Sequence, residues 1–393
     1  MKINSIDINN IGGINSLHLD FDKNFNLICG PNGIGKTTIL ECVAHTFTFH
    51  NTSILRRHVA STAGSFLSTV EINGTTQQIS NTIVDFEPTS HTSFIQGLNN
   101  QSQYLLSLKV NRSFEYQQLD AIRRDNIKDI NTSAQEAQHG INSYEIKGWF
   151  VNRYLYSVHQ GALSTQQLNN FELAKSCFSI LNQNFHFSHV DAGSNEIMIH
   201  TPNGVIYYEY LSSGFKSCLS IIFGIIKEIE YRFKNPTINA IDFDGIIVID
   251  ELELHLHPEW QGKIAEILLT VFPKAQFIAS THSPHIIQSA APNQIIALGL
   301  NEGSVHRREM SSGTYGYQGW TVEEVLTEVM GMRDTRTEAF HSAIENFEAA
   351  IQDEDTHRGQ LAYATLDELL HPSNHLRKLL KLELATIQER ADD

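Results

Sequence analysis

Residues 30–38 have the types and spacing of a loop that binds phosphate. They are Gly30, Pro31, Asn32, Gly33, Ile34, Gly35, Lys36, Thr37 and Thr38, and they match the pattern G-x-x-x-x-G-K-[ST]. Glycines allow successive backbone N–H groups to face an anion, and a following helix adds the positive end of its dipole. We expect Lys36 to contact the β- and γ-phosphates and the Thr37 hydroxyl to bind Mg²⁺. The loop therefore predicts ATP and Mg²⁺ as cofactors.

A second set of candidate residues lies at the end of the apolar run 245–250, Gly-Ile-Ile-Val-Ile-Asp. Such a run is typical of a central strand that is buried on both faces. Ligands bind beyond the C-terminal ends of strands in open α/β sheets. We expect Asp250 to hold Mg²⁺ through water, and Glu251 to orient or deprotonate the attacking water.

Hydrophobic periodicity predicts the elements that position these residues. A short apolar strand at 26–29 leads directly into the glycine-rich loop. Further strands are expected at 2–9, 15–21, 276–280 and 294–298. An antiparallel sheet is expected from 68–72, 77–85 and 104–110, with a hairpin turn at Asn73-Gly74.

The middle and the end of the chain are predicted to be helical. Residues from about 115 to 190 are polar and mainly helical in pattern, and the chain is helical again beyond residue 320. In that last region, leucines recur at the three-four spacing of an apolar helix stripe. They are Leu366, Leu369, Leu370, Leu376, Leu379 and Leu380.

Composition restricts the functional class. The formal net charge is −16, so bulk electrostatics favour neither nucleic acid nor anionic lipid, although DNA contact through a local basic groove stays possible. The 4 cysteines form no CxxC pair, which favours a reducing compartment. The N-terminus lacks the apolar region of a signal peptide, and the apolar stretch 219–229 is too short to span a bilayer. We therefore expect a cytoplasmic protein without membrane contact.

Two further segments resemble motifs of the ABC ATPases. Residues 211–217, Leu-Ser-Ser-Gly-Phe-Lys-Ser, resemble the ABC signature motif. Residues 279–284, Ala-Ser-Thr-His-Ser-Pro, resemble the switch-histidine segment of that family. The resemblance implies that signature residues cap the nucleotide held by the opposite protomer, and that a histidine approaches the γ-phosphate. The residues concerned are Ser212, Ser213, Gly214 and His282.

This resemblance, which covers residues 1–300, also implies a fold and a domain organisation. The expected fold class is α/β, an ABC-type P-loop ATPase head with a mixed sheet and a helical insertion, plus a C-terminal helical extension. The head is expected over residues 1–310 with the insertion at 112–190, and the helical extension over 311–393. Two copies are expected to come together around ATP.

The stretch after Glu251 narrows the resemblance. Residues 253–258 complete a DE-x-E-x-HLHP pattern, which is similar to that of the overcoming-lysogenization-defect (OLD) ATPases of bacterial anti-phage systems. His255 and His257 beside Glu253 could in principle bind zinc. No further pair of ligands lies nearby in the sequence, so contacts of this D-loop across a dimer are the preferred interpretation.

In two places the sequence departs from the family pattern. Relatives often carry an aromatic residue and an arginine after the first strand, whereas residues 10–14 read Asn-Ile-Gly-Gly-Ile. Asn111-Arg112, at the end of a predicted strand, is one possible substitute for the arginine contact with the nucleotide. Gln96 and Gln103 are candidates for the Q-loop glutamine, although either fits an ordinary polar loop.

OLD nucleases carry a Toprim domain after the ATPase, with a glutamate and a DxD cluster. The 111 residues after His282 are expected to form the last strands of the head and the helical extension, so no Toprim domain is expected there. Asp242-Phe243-Asp244 is predicted to be a loop, and 353–355 a solvated acidic turn. In layout the chain is similar to the ATPase subunits of the Septu and PARIS anti-phage systems. That resemblance implies a homo-oligomer built from dimers that controls a separate nuclease, of the HNH type in Septu, and no intrinsic nuclease activity.

Two other functions stay open. A RecF-like DNA-repair ATPase would bind duplex DNA directly, and a transporter ATPase would act with a separate permease. The stretch between the signature-like motif and Asp250 is longer than expected for the transporter class. A neighbouring nuclease gene would favour the anti-phage function, and a replication or repair operon would favour the RecF-like function.

Overall fold

The strands and helices follow the apolar runs of the sequence. The computed structural model describes residues 1–48, 50–52, 54–90, 92–94, 97–112, 116, 118–142, 144–310, 313–332 and 336–392. The strands are β1 (Lys2–Ile11), β2 (Ile14–Asp20), β3 (Phe25–Cys29), β4 (His50–Thr52), β5 (Gly64–Ile72), β6 (Thr75–Ile83), β7 (Thr92–Phe94), β8 (Leu105–Leu108), β9 (His186–Val190), β10 (Ile197–Thr201), β11 (Gly204–Tyr207), β12 (Ile246–Ile249), β13 (Gln276–Ser280), β14 (Ile295–Asn301) and β15 (Ser304–Arg307). The helices are α1 (Lys36–His45), α2 (Ile130–His139), α3 (Ile146–Ser157), α4 (Thr165–Leu181), α5 (Ser213–Arg232), α6 (Pro258–Gln261), α7 (Ile264–Val271), α8 (Pro284–Ser289), α9 (Val322–Glu324), α10 (Glu338–Gln352), α11 (Thr356–Leu369) and α12 (Leu376–Asp392).

A six-stranded sheet in the order β15-β14-β3-β13-β12-β8 carries the candidate site. The strands from β14 to β8 are parallel, and β15 pairs antiparallel with β14. Strands β3, β12 and β13 are buried along their whole length, which agrees with their continuous apolar sequences. The predicted strand at 276–280 is confirmed by β13. The C-terminal ends of these strands lie at one edge of the sheet, where a ligand site is expected.

One predicted strand belongs to a different sheet. The segment 104–110, predicted to lie in an antiparallel sheet, instead forms β8, which pairs parallel with β12 and places Leu108 opposite Ile249. That prediction was wrong. Every residue of β8 is buried, so neither side of the strand faces solvent. The sequence of β8, Leu-Leu-Ser-Leu, has no regular alternation that would reveal the partner or the direction of the strand.

The predicted antiparallel sheet exists with other members. It has four strands in the order β2-β1-β5-β6. Asn73 and Gly74 connect β5 to β6, and their φ angles are 50° and 78°. Two successive positive φ angles are what a two-residue hairpin turn of type I′ requires, so the predicted turn is confirmed.

Helices α2, α3 and α4 lie within the insertion predicted at 112–190. The described residues 118–129 are not helical, and strand β9 begins at His186. Helix α5 is buried along most of its length, including Lys227 and Glu228, whose charged groups lie 3.0 Å apart. Pairing of opposite charges makes such burial tolerable. Within the described residues, none of the helices is both long enough and apolar enough to cross a membrane.

The chain divides into two compact units, Met1–Met332 and Arg333–Asp393. The predicted division lay between residues 310 and 311. The difference arises because Tyr317, Val325 and Met330 are buried in the core of the first unit. These three residues therefore pack with the head.

The second unit is the helical extension, built from α10, α11 and α12. Its core includes Phe347 at the centre of α10. Of the predicted leucine stripes, Leu366, Leu370 and Leu380 are buried. Leu369 and Leu379 are 47% and 56% exposed, so the buried stripes are narrower than the leucine pattern predicts.

Candidate nucleotide-binding site

The glycine-rich loop connects β3 to α1, which begins at Lys36. Gly30, Gly33 and Gly35 have φ angles of 143°, 74° and 104°, a region that side chains other than glycine rarely adopt. A Cβ atom on Gly30 would lie 2.7 Å from the carbonyl oxygen of Leu298. Helix α1 has no side-chain cap at its N-terminus, so its first N–H groups are available to an anion.

The Lys36 ammonium group lies against this loop. Its Nζ atom donates hydrogen bonds to the carbonyl oxygens of Gly30 and Pro31, both at 2.9 Å. Burial lowers the pKa of Lys36, while the nearby carboxylates, among them Asp250 and Glu251, act in the opposite direction. The Lys36 ammonium group therefore lies at the glycine-rich loop, and its contact with phosphate stays a prediction.

The predicted Mg²⁺ ligands are adjacent. The Thr37 hydroxyl donates to the two carboxylate oxygens of Asp250 at 3.3 Å and 3.1 Å. The Ser280 hydroxyl donates to Asp250 Oδ1 at 2.6 Å. The strand order brings them together, because β3 and β12 both flank β13 and all three end at the same edge.

Glu251, the predicted catalytic carboxylate, sits in a tight turn after β12. Its φ angle is 50°, which is uncommon for a residue with a side chain. Its N–H group donates to Ser280 Oγ at 2.7 Å. Its carbonyl oxygen, and that of Asp250, accept hydrogen bonds from Arg112 Nη2. Burial lowers the pKa of Arg112 to about 10, so this side chain is charged at neutral pH.

The predicted switch histidine lies near the same edge. Glu253 accepts hydrogen bonds from the Thr281 hydroxyl at 2.7 Å and from the backbone N–H of His282 at 2.6 Å. Burial lowers the pKa of the His282 imidazole, and the charge on Lys36 lowers it further. The ring is therefore neutral near pH 7 and able to accept or donate a hydrogen bond.

The two D-loop histidines, His255 and His257, lie just before helix α6. His257 lies at the N-cap of α6, where its Nδ1 accepts from the N–H of Glu259 at 3.4 Å. His255 has a φ angle of 65°. Within the described ranges, no group of three or more His, Cys, Asp or Glu side chains is arranged to hold a metal ion.

The segment that resembles the ABC signature opens helix α5. Ser212 is the N-cap, and its hydroxyl accepts from the N–H of Phe215 at 3.3 Å. Ser213 is the first helical residue. A Cβ atom on Gly214 would lie 2.8 Å from Trp260 Cδ1. Between these three residues and 30–38, the described part of the chain shows no hydrogen bond or ion pair.

Sequence reasoning missed the contacts of Ser280 and Glu253. Both lie in segments that the motifs had already marked, but their hydrogen bonds join different motifs and have no sequence pattern. Gln103 was a wrong candidate for the Q-loop glutamine, because it lies in the 3-10 turn Asn99–Tyr104, at the opposite end of β8 from the site. Gln96 lies outside the described residues. Asn111 and Arg112 follow β8 at the site's edge.

Comparison with known proteins supports the predicted fold and family. Residues 2–306 match the family model of the RecF/RecN/SMC N terminal domain. The chain is 46% identical over 394 residues to the Septu protein PtuA of Bacillus thuringiensis, and the match covers 98% of this chain and 98% of that protein. A second Septu protein PtuA, from Bacillus mycoides (strain KBAB4), is 26% identical over 85% of this chain, which spans 45% of that protein. The Retron Vc95 probable ATPase of Vibrio cholerae serotype O1 biovar El Tor is 40% identical over 86 residues, which are 22% of this chain and 16% of that protein.

The α/β head of the ABC type, with its mixed sheet and its C-terminal helical region, is thereby confirmed. The similarity to the Septu protein from B. thuringiensis extends over nearly the whole of both chains. The chain therefore belongs to the RecF/RecN/SMC N-terminal domain family and, within it, to the family of the Septu protein PtuA.

Proposed function

We propose that this chain is the ATP-binding and ATP-hydrolysing subunit of an anti-phage defence complex, in which it dimerises around ATP and controls a partner nuclease. The observation that carries the ATPase part is the convergence of Lys36, the Thr37–Asp250 pair and Glu251 at one sheet edge. The names of the Septu and retron relatives support the anti-phage part.

The residues at this edge fit ATP and Mg²⁺. The N–H groups of the loop from Gly30 to Gly35 and of the start of α1, at Lys36 to Thr38, would bind the phosphates. Lys36 would supply the cation opposite the β- and γ-phosphates. Hydroxyl and carboxylate oxygens are the ligands that Mg²⁺ prefers, and Thr37 and Asp250 present them side by side. The ion would neutralise charge on the phosphates.

The remaining roles concern the water molecule and the γ-phosphate. Glu251 would orient or deprotonate the attacking water. The neutral imidazole of His282 would hydrogen-bond to the γ-phosphate, because the switch segment is held at the same edge by Glu253. The Asp250 carboxylate stays in place through the Ser280 hydroxyl.

The signature-like residues support a dimer. Ser213 and Gly214 lie at the N-terminus of a 20-residue helix, which suits binding of a phosphate. Since they make no hydrogen bond to the loop of their own chain in the described ranges, we infer that they cap the nucleotide of a second copy. A closed nucleotide site would then need two chains.

Mixing two inactive variants tests this composite site. Ser213→Arg should hydrolyse almost no ATP by itself, because the arginine blocks the cap over the partner's nucleotide. Mixed with Glu251→Gln, it should recover part of the activity, since one site of the mixed dimer then has both an intact Glu251 and an intact signature. Steady-state phosphate release measures this. Normal hydrolysis by Ser213→Arg alone would contradict the proposal.

Ser213 is a better position for this test than Gly214. A side chain at Gly214 meets Trp260 of the same chain, so Gly214→Asp also disturbs packing within the protomer. Tyr210→Arg is a suitable control, because Tyr210 lies just outside the signature and is 73% exposed. The control should retain hydrolysis without any mixing.

The partner is proposed to be a separate nuclease, of the HNH type if the system is Septu-like, and the assembly a homodimer or a higher oligomer of dimers. The match to the RecF/RecN/SMC model favours one second candidate, a DNA-repair ATPase that binds DNA directly. Co-expression with the neighbouring genes, followed by identification of the proteins that copurify, separates the two. A nuclease supports the first function, and replication or repair factors support the second.

We expect the chain alone to cut no nucleic acid. A hydrolytic nuclease needs clustered carboxylates or a histidine–metal site to activate water. Asp242 is paired with Lys274 at 2.7 Å, and Asp244 with the N-terminal amino group at 3.1 Å. In the acidic turn after α10, Asp353 pairs with Arg358 at 3.1 Å and Asp355 caps α11.

The assay incubates the purified chain with plasmid, linear DNA and RNA in Mg²⁺ or Mn²⁺, with and without ATP. The expected result is intact nucleic acid in every tube. Cleavage that copurifies with the chain and disappears in Asp242→Ala or Asp244→Ala would show an intrinsic nuclease and overturn the expectation.

A further inference from the structure

Arg112 lies at the edge of the sheet where the site is built. Strand β8 pairs parallel with β12, so the chain leaves β8 beside Asp250. The N–H of Asp250 donates to the carbonyl oxygen of Leu108 at 2.9 Å. The four residues after β8 therefore run alongside the turn that carries Glu251.

The Arg112 guanidinium group forms its hydrogen bonds with backbone carbonyl oxygens. Nη2 donates to the carbonyl oxygen of Asp250 at 3.1 Å and to that of Glu251. The side chain is 7% exposed. No carboxylate of the described residues forms an ion pair with Arg112, although those of Asp250, Glu251 and Glu253 are close enough to raise its pKa against the effect of burial. Because Arg112 donates to backbone carbonyl oxygens and not to the nearby carboxylates, it stabilises the backbone conformation of this turn.

Two of its nitrogen atoms have no acceptor. In the described part of the chain, Nε and Nη1 are buried without a hydrogen-bond partner. Burying charged donors without acceptors is costly, and each such group calls for an explanation. The contacts through which Arg112 acts on its surroundings are therefore the two hydrogen bonds of Nη2 to backbone carbonyl oxygens.

The turn that Arg112 contacts has an uncommon backbone conformation. Glu251 has a φ angle of 50°, and residues with side chains keep such angles only where their surroundings impose them. Ser280 fixes the N–H of Glu251, and Arg112 fixes its carbonyl oxygen. The direction of the Glu251 side chain follows from this backbone conformation.

We propose that Arg112 is a positioning residue for ATP hydrolysis, which holds the carbonyl groups of Asp250 and Glu251 and thereby aims the Glu251 carboxylate at the attacking water. The inference rests on the proposed ATPase function. It gives Arg112 a role in kcat, distinct from the direct nucleotide contact that the sequence suggested.

Arg112→Lys and Arg112→Gln test the proposal. Arginine holds both carbonyl oxygens through Nη2 of a planar group. Lysine ends in a compact ammonium on a flexible stem, and the glutamine amide is uncharged and shorter, so neither side chain reproduces the position of Nη2. We expect kcat to fall about 100-fold, the cost of a small misplacement of a catalytic group. The Kd for ATP, measured by calorimetry, should change by less than about threefold, because the interaction lost serves the transition state. Arg124→Lys, on an exposed loop, is the matched control and should leave both quantities unchanged.

A double variant separates positioning from general stability. If Arg112 acts through the Glu251 carboxylate, Arg112→Lys combined with Glu251→Gln should hydrolyse ATP no more slowly than Glu251→Gln alone. A further fall proportional to the single-variant effect would overturn the inference. So would an unchanged kcat in Arg112→Lys, or a loss of ATP affinity that matches the loss of kcat.

Failure of the proposed function has a different result. A wild-type protein that neither binds nor hydrolyses ATP would contradict the ATPase proposal itself. If the wild type is active, thermal unfolding of each variant checks folding, and kcat is expressed per folded chain. If Arg112→Lys is only partly folded, kcat and the Kd for ATP are compared with the wild type in Arg112→Gln, whose side chain is uncharged.

Discussion

Replacing Lys36 by alanine should abolish measurable ATP binding. Lys36 is the ammonium group that lies against the glycine-rich loop, at 2.9 Å from the Gly30 and Pro31 carbonyls. In the complex it would contact the β- and γ-phosphates. The alanine variant would lose two charge-assisted hydrogen bonds to these phosphates. At about 1.5–3 kcal/mol each, their loss corresponds to at least ~100-fold weaker binding of ATP.

Isothermal titration calorimetry with ATP and Mg²⁺ measures this effect, and thermal unfolding without nucleotide shows whether the fold survives. Lys378→Ala, on an exposed position of α12, is the matched control and should bind ATP as the wild type does. Unchanged affinity in Lys36→Ala would mean that the glycine-rich loop is not the phosphate site, and the proposed function would lose its foundation.

Glu251→Gln should separate binding from hydrolysis. Glutamine has nearly the shape of glutamate, and the contacts of Glu251 with Ser280 and Arg112 use backbone atoms that the substitution leaves in place. The carboxylate that handles the water is lost, so kcat should fall by about 10²–10⁴-fold, the usual contribution of a general base. ATP should still bind and should persist on the protein.

The measurement is a single-turnover assay that separates ATP from ADP over time, together with the Kd for ATP. Because ATP persists, the dimer should also persist, and light scattering of the variant with ATP should show a larger mass than without it. Glu259→Gln, an exposed carboxylate in the following helix, is the control. Wild-type hydrolysis by Glu251→Gln would exclude Glu251 as the catalytic carboxylate.

Local sequence determined the parts of the site that depend on neighbouring residues. The loop at Gly30–Gly35 needs glycines at left-handed φ angles, and the residues that follow must begin a helix, so the pattern alone marks it. The same holds for Asn73-Gly74, whose residue types specify the hairpin turn. The apolar run before Asp250 predicted a buried strand with carboxylates at its end, and β12 has that form.

Only the tertiary structure decided which of these parts meet. The strand order placed β13 between β3 and β12, which brings Ser280 to Asp250 and Glu251. The structure also pairs β8 with β12, although β8 was predicted in the antiparallel sheet. Arg112, which follows β8, therefore lies at the turn of Glu251. A strand buried on both faces shows no periodicity, so its sequence does not reveal its neighbour. The hydrogen bonds at these strand ends join Ser280 to residues 29 and 30 positions away, and Arg112 to residues 138 and 139 positions away, so no local pattern encodes them.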